Sequence, residues 1–166
     1  VKLLKQSETD QMTGLANRYR LNAYSEKVLD YCYEHRLSLA MEILDIDFFK
    51  QYNDNYGHQQ GDECIIAIAD ELKKMEDRQT FCARYGGDEF MVVIYNTSKT
   101  EIEDILKQLS REKDRLNSSG NNMPIDYACG WAISDADSEC TIQMLLDKAD
   151  YYMYENKQAY KKSKKS

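Results

Sequence analysis

Four acidic residues in two short segments are the side chains of this sequence with the clearest capacity for chemistry. Asp45 and Asp47 end one apolar run, and Asp88 and Glu89 directly follow the pair Gly86-Gly87. Carboxylates that lie close together repel one another unless a cation neutralises them, and an all-oxygen ligand set favours Mg²⁺ completed by water and phosphate groups. The glycines would let a bulky phosphate approach the backbone closely. On spacing alone, an ordinary solvated acidic turn remains the alternative.

Hydrophobic periodicity predicts the elements that would position these residues. Four segments carry apolar residues every three or four positions and are predicted helices: 17–35, 58–75, 100–116 and 141–158. Four others are predicted strands, the first of them apolar on both faces: 38–47, 81–85, 89–95 and 125–133. Because glycine takes positive φ at low cost, the glycine pair predicts a tight hairpin between the second and third strands. A short polar-aromatic connection is expected after the first strand, and the order α-β-α-β-β-α-β-α predicts an α/β domain with a mixed sheet.

The composition limits the class of protein. With 166 residues, 42% of them hydrophobic, the chain is long enough for one domain with its own core. Its formal charge of −7 argues against a nucleic-acid partner. The longest uninterrupted apolar runs have six residues, whereas a membrane helix needs about 20, so we expect no membrane contact by this domain. Five cysteines without a CxxC pair argue against a disulfide framework or a zinc site and fit a reducing, cytoplasmic compartment.

Four motifs, in a fixed order, cover nearly the whole chain. The segment Arg84–Phe90 reads RYGGDEF and resembles the signature of the GGDEF family, the bacterial diguanylate cyclases. Asp10–Arg18 is similar to the DxLTGLxNR motif of that family, with Met12 in the place of the usual Leu. Leu44–Asp62 resembles its LDIDxFKxxNDxxGHxxGD block, and Ala149–Lys157 resembles its closing ADxALYxAK helix. Four such segments in the same order make a chance resemblance untenable.

The resemblance implies a fold and an activity. The fold would be a ferredoxin-like palm of the nucleotide-cyclase type, with a central mixed β-sheet flanked by helices and the signature on a β-hairpin. The activity would be that of a diguanylate cyclase, which condenses two GTP molecules into cyclic di-GMP and two pyrophosphates with Mg²⁺ or Mn²⁺. Each domain would hold one GTP, so catalysis would need a symmetric homodimer.

The place of this domain in a longer protein follows from the same resemblance. The chain begins at Val1 rather than Met, and we expect residues 1–12 to end an upstream linker or helix. The cyclase domain is expected at 13–160, and a basic tail at 161–166. The parent protein would be a bacterial signalling protein with an upstream sensor or regulatory domain, and it could be membrane-anchored even though this domain is cytoplasmic.

The resemblance also implies roles at the acidic edge. Asp45, the backbone carbonyl of Ile46 and Asp88 correspond to metal ligands. Asp88 also corresponds to a catalytic group that helps to deprotonate the 3′-hydroxyl. Glu89 is assigned beside it as a ligand of a second metal or of the outer shell, with a structural turn carboxylate as the alternative. Asp47 is expected to support its loop rather than to bind metal directly.

A second set of residues corresponds to the substrate pocket. Asn53 and Asp62 match the pair that reads the guanine base, for which an amide and a carboxylate are chemically suited. His58 matches a pocket residue, with the alternative that it holds the loop at the start of its helix. The remaining matches would bind phosphate, through the backbone N–H groups of Phe48, Phe49 and Lys50 and the side chains of Lys157 and Lys161.

Two departures from the family pattern affect these expectations. Tyr160 stands where the family has Gly, so the closing helix could run on and carry Lys161 away from the phosphates. The stretch Asp77–Thr80 lacks the Arg and Asp of the RxxD inhibitory site, because Arg78 is one residue out of register. At the entry of a strand, that shift would turn its side chain to the opposite face, so we expect no product inhibition there. Two alternatives to a GTP-specific cyclase remain. One is a GTP-binding or regulatory module without turnover, and the other is a cyclase that also accepts ATP, against which Asp62 argues.

Overall fold

The computed structural model describes residues 6–46, 49–118, 125–134 and 139–165. In this part of the chain the elements are α1 (Arg18–His35), β1 (Leu39–Ile46), α2 (Phe49–Tyr56), α3 (His58–Met75), β2 (Thr80–Arg84), β3 (Glu89–Tyr95), α4 (Lys99–Ser118), β4 (Tyr127–Ile133) and α5 (Ile142–Lys165). Every predicted helix and strand is present. None of the described helices combines the length and the apolar content that a membrane-spanning helix requires.

The four strands form one sheet in the order β2-β3-β1-β4. All three strand pairs are antiparallel, so the prediction of a mixed sheet is wrong. The helical connections do join strands that run in the same direction, β1 to β2 and β3 to β4. In the sheet, however, one strand of opposite direction lies between the two strands of each pair. This interleaved β-α-β-β-α-β order is that of the ferredoxin-like palm.

Strand β1 lies inside the sheet and is buried along its whole length, as its two apolar faces predict. Leu39, Met41 and Ile43 pack into a core that includes residues of α1 and α5. Leu44 and Ile46 point to the opposite face and pack with residues of α3 and α4. Because side chains alternate along a strand, Asp45 projects on the α1/α5 side at the carboxyl end of β1.

Helix α2 is the element that the sequence analysis missed. Its Asn and Asp residues are poor helix formers and gave the segment the composition of a loop. Tertiary packing decides instead, because Phe49 and Tyr52 pack onto the core on the α3 side. Gly57 then joins α2 to α3 with a φ of +88°, a conformation that residues with a side chain adopt only at a cost.

The ends of two elements differ from the sequence expectation. Strand β4 begins at Tyr127 rather than at Ile125, because the side chain of Asn117 binds both the backbone N–H and the carbonyl of Ile125. Helix α5 continues to Lys165, as the replacement of Gly by Tyr160 allowed. Asp47 and Phe48, which connect β1 to α2, lie outside the described residues.

Candidate active site

Strand pairing brings the predicted carboxylates of β1 and of the β2–β3 hairpin to one edge of the sheet. Asp45 lies directly opposite Glu89 in the antiparallel pair of β1 and β3. The pairing extends one residue further, because the backbone N–H of Ile46 donates to the carbonyl of Asp88 at 3.0 Å. The structure therefore brings together the three acidic side chains and the Ile46 backbone that sequence analysis placed around a metal.

Burial and mutual repulsion both act on the protonation of these carboxyl groups. Burial raises the pKa of the Asp88 carboxyl, and the neighbouring Asp45 carboxylate raises it further. Burial also raises the pKa of Glu89, with additional repulsion from Asp45, Asp88 and Asp150. The Lys157 ammonium acts in the opposite direction on both groups. The edge thus carries more negative charge than its surroundings balance, which favours a cation.

Lys157 of α5 brings a positive charge into direct contact with this edge. Its Nζ donates to Asp45 Oδ2 at 2.5 Å, and the side chains of Lys157 and Asp45 are 28% and 12% exposed. The other oxygen, Asp45 Oδ1, is buried and has no hydrogen-bond partner among the described residues. Asp45 is therefore only half satisfied by the protein groups around it.

These oxygens fit a hard divalent cation. An orphaned carboxylate oxygen beside two further carboxyl groups is an all-oxygen donor set of the kind that Mg²⁺ prefers. Across the described ranges, however, no three acidic, histidine or cysteine side chains cluster closely enough to hold an ion by themselves. The protein would therefore supply only part of the shell, which suits Mg²⁺ because this ion keeps water and takes up substrate phosphates.

Neither a positive φ nor crowding within the domain requires the glycines of the signature turn. Neither Gly86 nor Gly87 has a φ in the left-handed region, so that part of the hairpin prediction is wrong. The turn closes because the backbone N–H groups of Tyr85 and Gly86 both donate to the carbonyl of Glu89, at 2.8 and 3.2 Å. A Cβ at Gly87 would meet no atom within 4 Å, which leaves the turn open to an approaching group.

Arg84 holds this turn to the N-terminal motif, a role that sequence analysis did not assign. Its Nη2 donates to the carbonyl of Gly87 at 2.7 Å, and its Nη1 lies 3.3 Å from Asp10 Oδ2. Asp10 also accepts from the backbone and hydroxyl of Thr13, at 3.0 and 2.7 Å. Burial opposes ionisation of Asp10, but these hydrogen bonds and Arg84 outweigh it and lower the pKa. In the sequence, Arg84 belongs to the signature and Asp10 to the N-terminal motif, and these two positions were the only indication of their contact.

The predicted base-reading residues lie on the paired helices α2 and α3. Asn53 of α2 packs so tightly against Gly61 of α3 that a Cβ there would lie 1.8 Å from Asn53 Oδ1. This oxygen is buried and has no hydrogen-bond partner within the described residues. Asp62 follows Gly61 directly, and both Asp62 and His58 are exposed. The structure thus places Asn53 beside the first turns of α3, which carry the other two residues.

The predicted phosphate-binding residues divide into two groups. Helix α2 begins at Phe49, immediately after the carboxyl end of β1, and a helix N-terminus attracts anions. Phe49 is half-buried in the core on the α3 side, and Lys50 is exposed. Lys157 reaches the acidic edge, as described above. Phe48 and the side chain of Lys161 lie outside the described residues.

Comparison with known proteins gives matches along most of the chain. The family description "Diguanylate cyclase, GGDEF domain" matches residues 7–163. Diguanylate cyclase DgcP of Pseudomonas aeruginosa is 31% identical over 151 residues, which are 91% of this chain and 22% of that protein. Diguanylate cyclase A of Treponema denticola is 28% identical over 165 residues, covering 95% of this chain and 43% of that protein. The chain therefore spans between about a fifth and about two fifths of these curated relatives.

A solved structure of the same fold supports the assignment independently. The GGDEF domain of DgcB from Caulobacter crescentus, determined in complex with c-di-GMP, superimposes with a TM-score of 0.84. The two chains are 26% identical, and the match covers 95% of this chain and 94% of that one. This confirms the palm fold and the sequence resemblance. With its signature turn, its sheet topology and a family match over nearly its whole length, the chain belongs to the GGDEF family of diguanylate cyclase domains.

Proposed function

We propose that this domain is a diguanylate cyclase, which condenses two GTP molecules into cyclic di-GMP and two pyrophosphates. The observation that carries the proposal is the meeting of Asp45 and Asp88 at one sheet edge, beside the backbone of Ile46. The family membership of the chain supports the same activity. The relatives named diguanylate cyclases are longer proteins, so the activity of the parent protein is part of the proposal.

The acidic edge would hold the metal through Asp45, Asp88 and the Ile46 carbonyl. Mg²⁺ or Mn²⁺, when bound, lowers the pKa of a coordinated hydroxyl and stabilises charge on a phosphoryl group during in-line displacement. The Asp88 carboxylate would take up the proton of the 3′-hydroxyl. Glu89, opposite Asp45 in the sheet, would complete the negative field around the ion. The protein's share is mainly positioning and electrostatics.

Binding of the nucleotide would use the helices next to this edge. Asp62 is exposed on α3 and would accept hydrogen bonds from N1-H and N2-H of guanine. Asn53, whose buried oxygen lacks a partner in the described structure, would bind another edge of the base. The start of α2 at Phe49 and Lys50 would bind the β- and γ-phosphates with its backbone N–H groups. His58 is exposed at the start of α3, close in sequence to this pocket.

Turnover requires a second copy of the domain. One domain presents one acidic edge and would hold one GTP, so each 3′-hydroxyl must attack the α-phosphate of a nucleotide held by the partner. The open surface at Gly87 is compatible with such a face-to-face approach. We therefore expect weak, concentration-dependent activity of the isolated domain, and an upstream sensor or regulatory segment in the parent protein that controls the pairing.

The proposal is tested by incubating the domain with GTP and Mg²⁺ at increasing protein concentrations and measuring cyclic di-GMP by mass spectrometry. Specific activity should rise with concentration and should disappear in Asp45→Asn. Asp54→Asn removes an exposed carboxylate of α2 and serves as the matched control. Absence of cyclic di-GMP at high concentration of folded protein would contradict the proposal. GTP binding without pyrophosphate release would then identify a regulatory module instead.

A further inference from the structure

The contact of Lys157 with Asp45 occupies the carboxylate that the proposed metal needs. The ammonium lies 2.5 Å from Oδ2, the oxygen of Asp45 that has a partner, whereas Oδ1 is buried. Both side chains are mostly removed from solvent, so their attraction is screened less than that of a surface pair. Lys157 therefore occupies one of the two carboxylate oxygens that a divalent cation could use.

Two cations at this carboxylate would oppose each other. Because Mg²⁺ binds oxygen at about 2.1 Å, an ion on Oδ2 would lie no more than about 4.6 Å from the Lys157 nitrogen. An ion on Oδ1 would share a carboxylate whose charge the ammonium already partly neutralises. In either arrangement the lysine weakens metal binding for as long as it stays on Asp45.

The acidic groups around the pair explain why the contact forms. Asp88 and Glu89 both feel the charge of Asp45, and both feel the opposite charge of Lys157. The Lys157 ammonium thus offsets repulsion among three carboxyl groups, one on β1, one on β3 and one in the turn between β2 and β3. Its four-carbon side chain, 28% exposed, has the length and the access to solvent to move to another anion nearby.

We propose that Lys157 is a placeholder cation: it neutralises Asp45 until metal and nucleotide arrive together, and then moves from the carboxylate to the triphosphate. The proposal rests on the proposed function in two respects: it takes Asp45 as a metal ligand and GTP as the source of that triphosphate. It assigns Lys157 a role in the order of binding, in addition to the phosphate contact that the sequence resemblance implies. Metal alone binds weakly, because it must displace the lysine, and nucleotide favours metal binding because it gives the displaced ammonium a new partner.

The central experiment is a titration of the domain with Mn²⁺ alone, followed by the electron paramagnetic resonance signal of the free ion. Lys157→Met removes the ammonium and keeps most of the side-chain length. We expect it to bind Mn²⁺ at least about fivefold more tightly than the unmodified domain, the lower end of typical coupling between two ligands. Lys162→Met, which removes an exposed positive charge of the same helix, should leave the affinity unchanged. Far-UV circular dichroism verifies that each variant is folded.

A second titration measures the coupling to nucleotide. The affinity for a non-hydrolysable GTP analogue is measured with and without Mn²⁺ in the unmodified domain and in Lys157→Met. The enhancement by Mn²⁺ should be smaller in the variant. If no nucleotide binds, the proposed function fails while the titration with Mn²⁺ alone still decides the placeholder role.

A third measurement needs no variant and remains informative if Lys157→Met does not fold. The rate of acetylation of Lys157 by a soluble amine reagent is followed by peptide mass spectrometry, with Lys162 as the internal reference. Saturating Mn²⁺ should release Lys157 from Asp45 and raise its rate relative to Lys162. The proposal is overturned by a Mn²⁺ affinity of Lys157→Met equal to or weaker than that of the unmodified domain. It is equally overturned by a Lys157 rate that Mn²⁺ leaves unchanged.

Discussion

Glu42 gives the sharpest prediction about the stability of this domain. It lies in the middle of β1, is 1% exposed, and neither of its carboxyl oxygens has a hydrogen-bond partner among the described residues. Burial raises the pKa of this carboxyl from 4.5 to about 8. Because an uncompensated buried carboxylate is costly, the group stays protonated in the folded protein over most of the physiological pH range.

The sign and size of the effect follow from this pKa. The folded-state pKa is above the unfolded-state value, so the folded protein binds more protons between pH 4.5 and about 8. The contribution of Glu42 to stability is therefore greatest at the acidic end and falls as the pH rises, by about 1.4 kcal/mol per pH unit within this window. By pH 7 the cost of keeping Glu42 buried reaches about 3 kcal/mol, a large fraction of the stability of a typical domain.

The perturbation is Glu42→Gln, which keeps the shape of the side chain and removes its titration. Urea unfolding at pH 5, 6, 7 and 8 gives the free energy of unfolding of both proteins. The advantage of the variant over the unmodified domain should be about 3 to 4 kcal/mol larger at pH 8 than at pH 5. Glu26→Gln, at an exposed position of α1, is the matched control and should show no pH-dependent difference.

Other groups do not obscure this comparison. Burial raises the pKa of Cys82 and of Tyr127, and both also feel the charge of Glu42, so neither titrates between pH 5 and 8. Asp88 and Glu89 also have raised pKa values, but they contribute equally to both proteins and cancel in the difference. A free-energy difference that stays constant from pH 5 to pH 8 would refute the reasoning.

Four further substitutions test the site. Gly61→Ala places a Cβ 1.8 Å from Asn53 Oδ1, so it should displace that amide and raise the KM for GTP about tenfold. An unchanged KM would show that Asn53 does not bind the nucleotide. In Arg84→Lys the side chain cannot bind both Asp10 and the signature turn, so kcat should fall. Circular dichroism should show that the variant is folded, and an unaltered kcat would show that the contacts of Arg84 are dispensable for catalysis. Asp62→Ser should relax the preference for GTP over ATP in the cyclase assay, and unaltered selectivity would mean that another residue reads the base. Calorimetry with cyclic di-GMP should find no submicromolar site that depends on Arg78, and loss of such a site in Arg78→Ala would contradict the absence of product inhibition.

The structure changes the physical reason for the prediction about Arg78. Sequence analysis placed Arg78 at the entry of a strand, where a shift of one residue reverses the side chain. The structure has β2 begin only at Thr80, and the Asp77 carboxylate accepts from the backbone N–H groups of Gln79 and Thr80 at 2.8 and 2.9 Å. Arg78 therefore lies in a bend that this carboxylate holds in place. Arg78 is still one residue out of register with the RxxD motif of the family, but the direction of its side chain is not set by alternation along a strand.

Local patterns predicted the elements well because periodicity reports burial directly. The helix from His58 to Met75 was predicted with its observed bounds, and the strand that carries Asp45 near its carboxyl end was predicted to be buried on both faces. Helix α2 was missed because its packing against α3, rather than its composition, makes it helical. The sheet was predicted as mixed because strand direction depends on which strands become neighbours, and that is a property of the whole topology.

The candidate site was predictable in its residues but not in its contacts. Resemblance supplied Asp45, Asp88 and Lys157 separately, and register explains why the first two meet. The hydrogen bond between Lys157 and Asp45 joins positions 112 residues apart, and no local pattern indicates it. The unpaired oxygens of Glu42 are equally hidden, because alternation predicts burial but does not indicate whether a buried carboxyl finds a partner.

Close packing of α5 on β4 is what makes the contact with Asp45 geometrically feasible. Gly130 of β4 has no side chain, and a Cβ there would lie 2.2 Å from both the Ala149 carbonyl and the Met153 nitrogen. The backbone of α5 therefore rests directly on the sheet at this position. Lys157 follows Met153 by one helical turn and so extends along the same face towards the carboxyl end of β1. The absence of a side chain at Gly130 thus lets α5 pack closely enough on the sheet for Lys157 to reach Asp45.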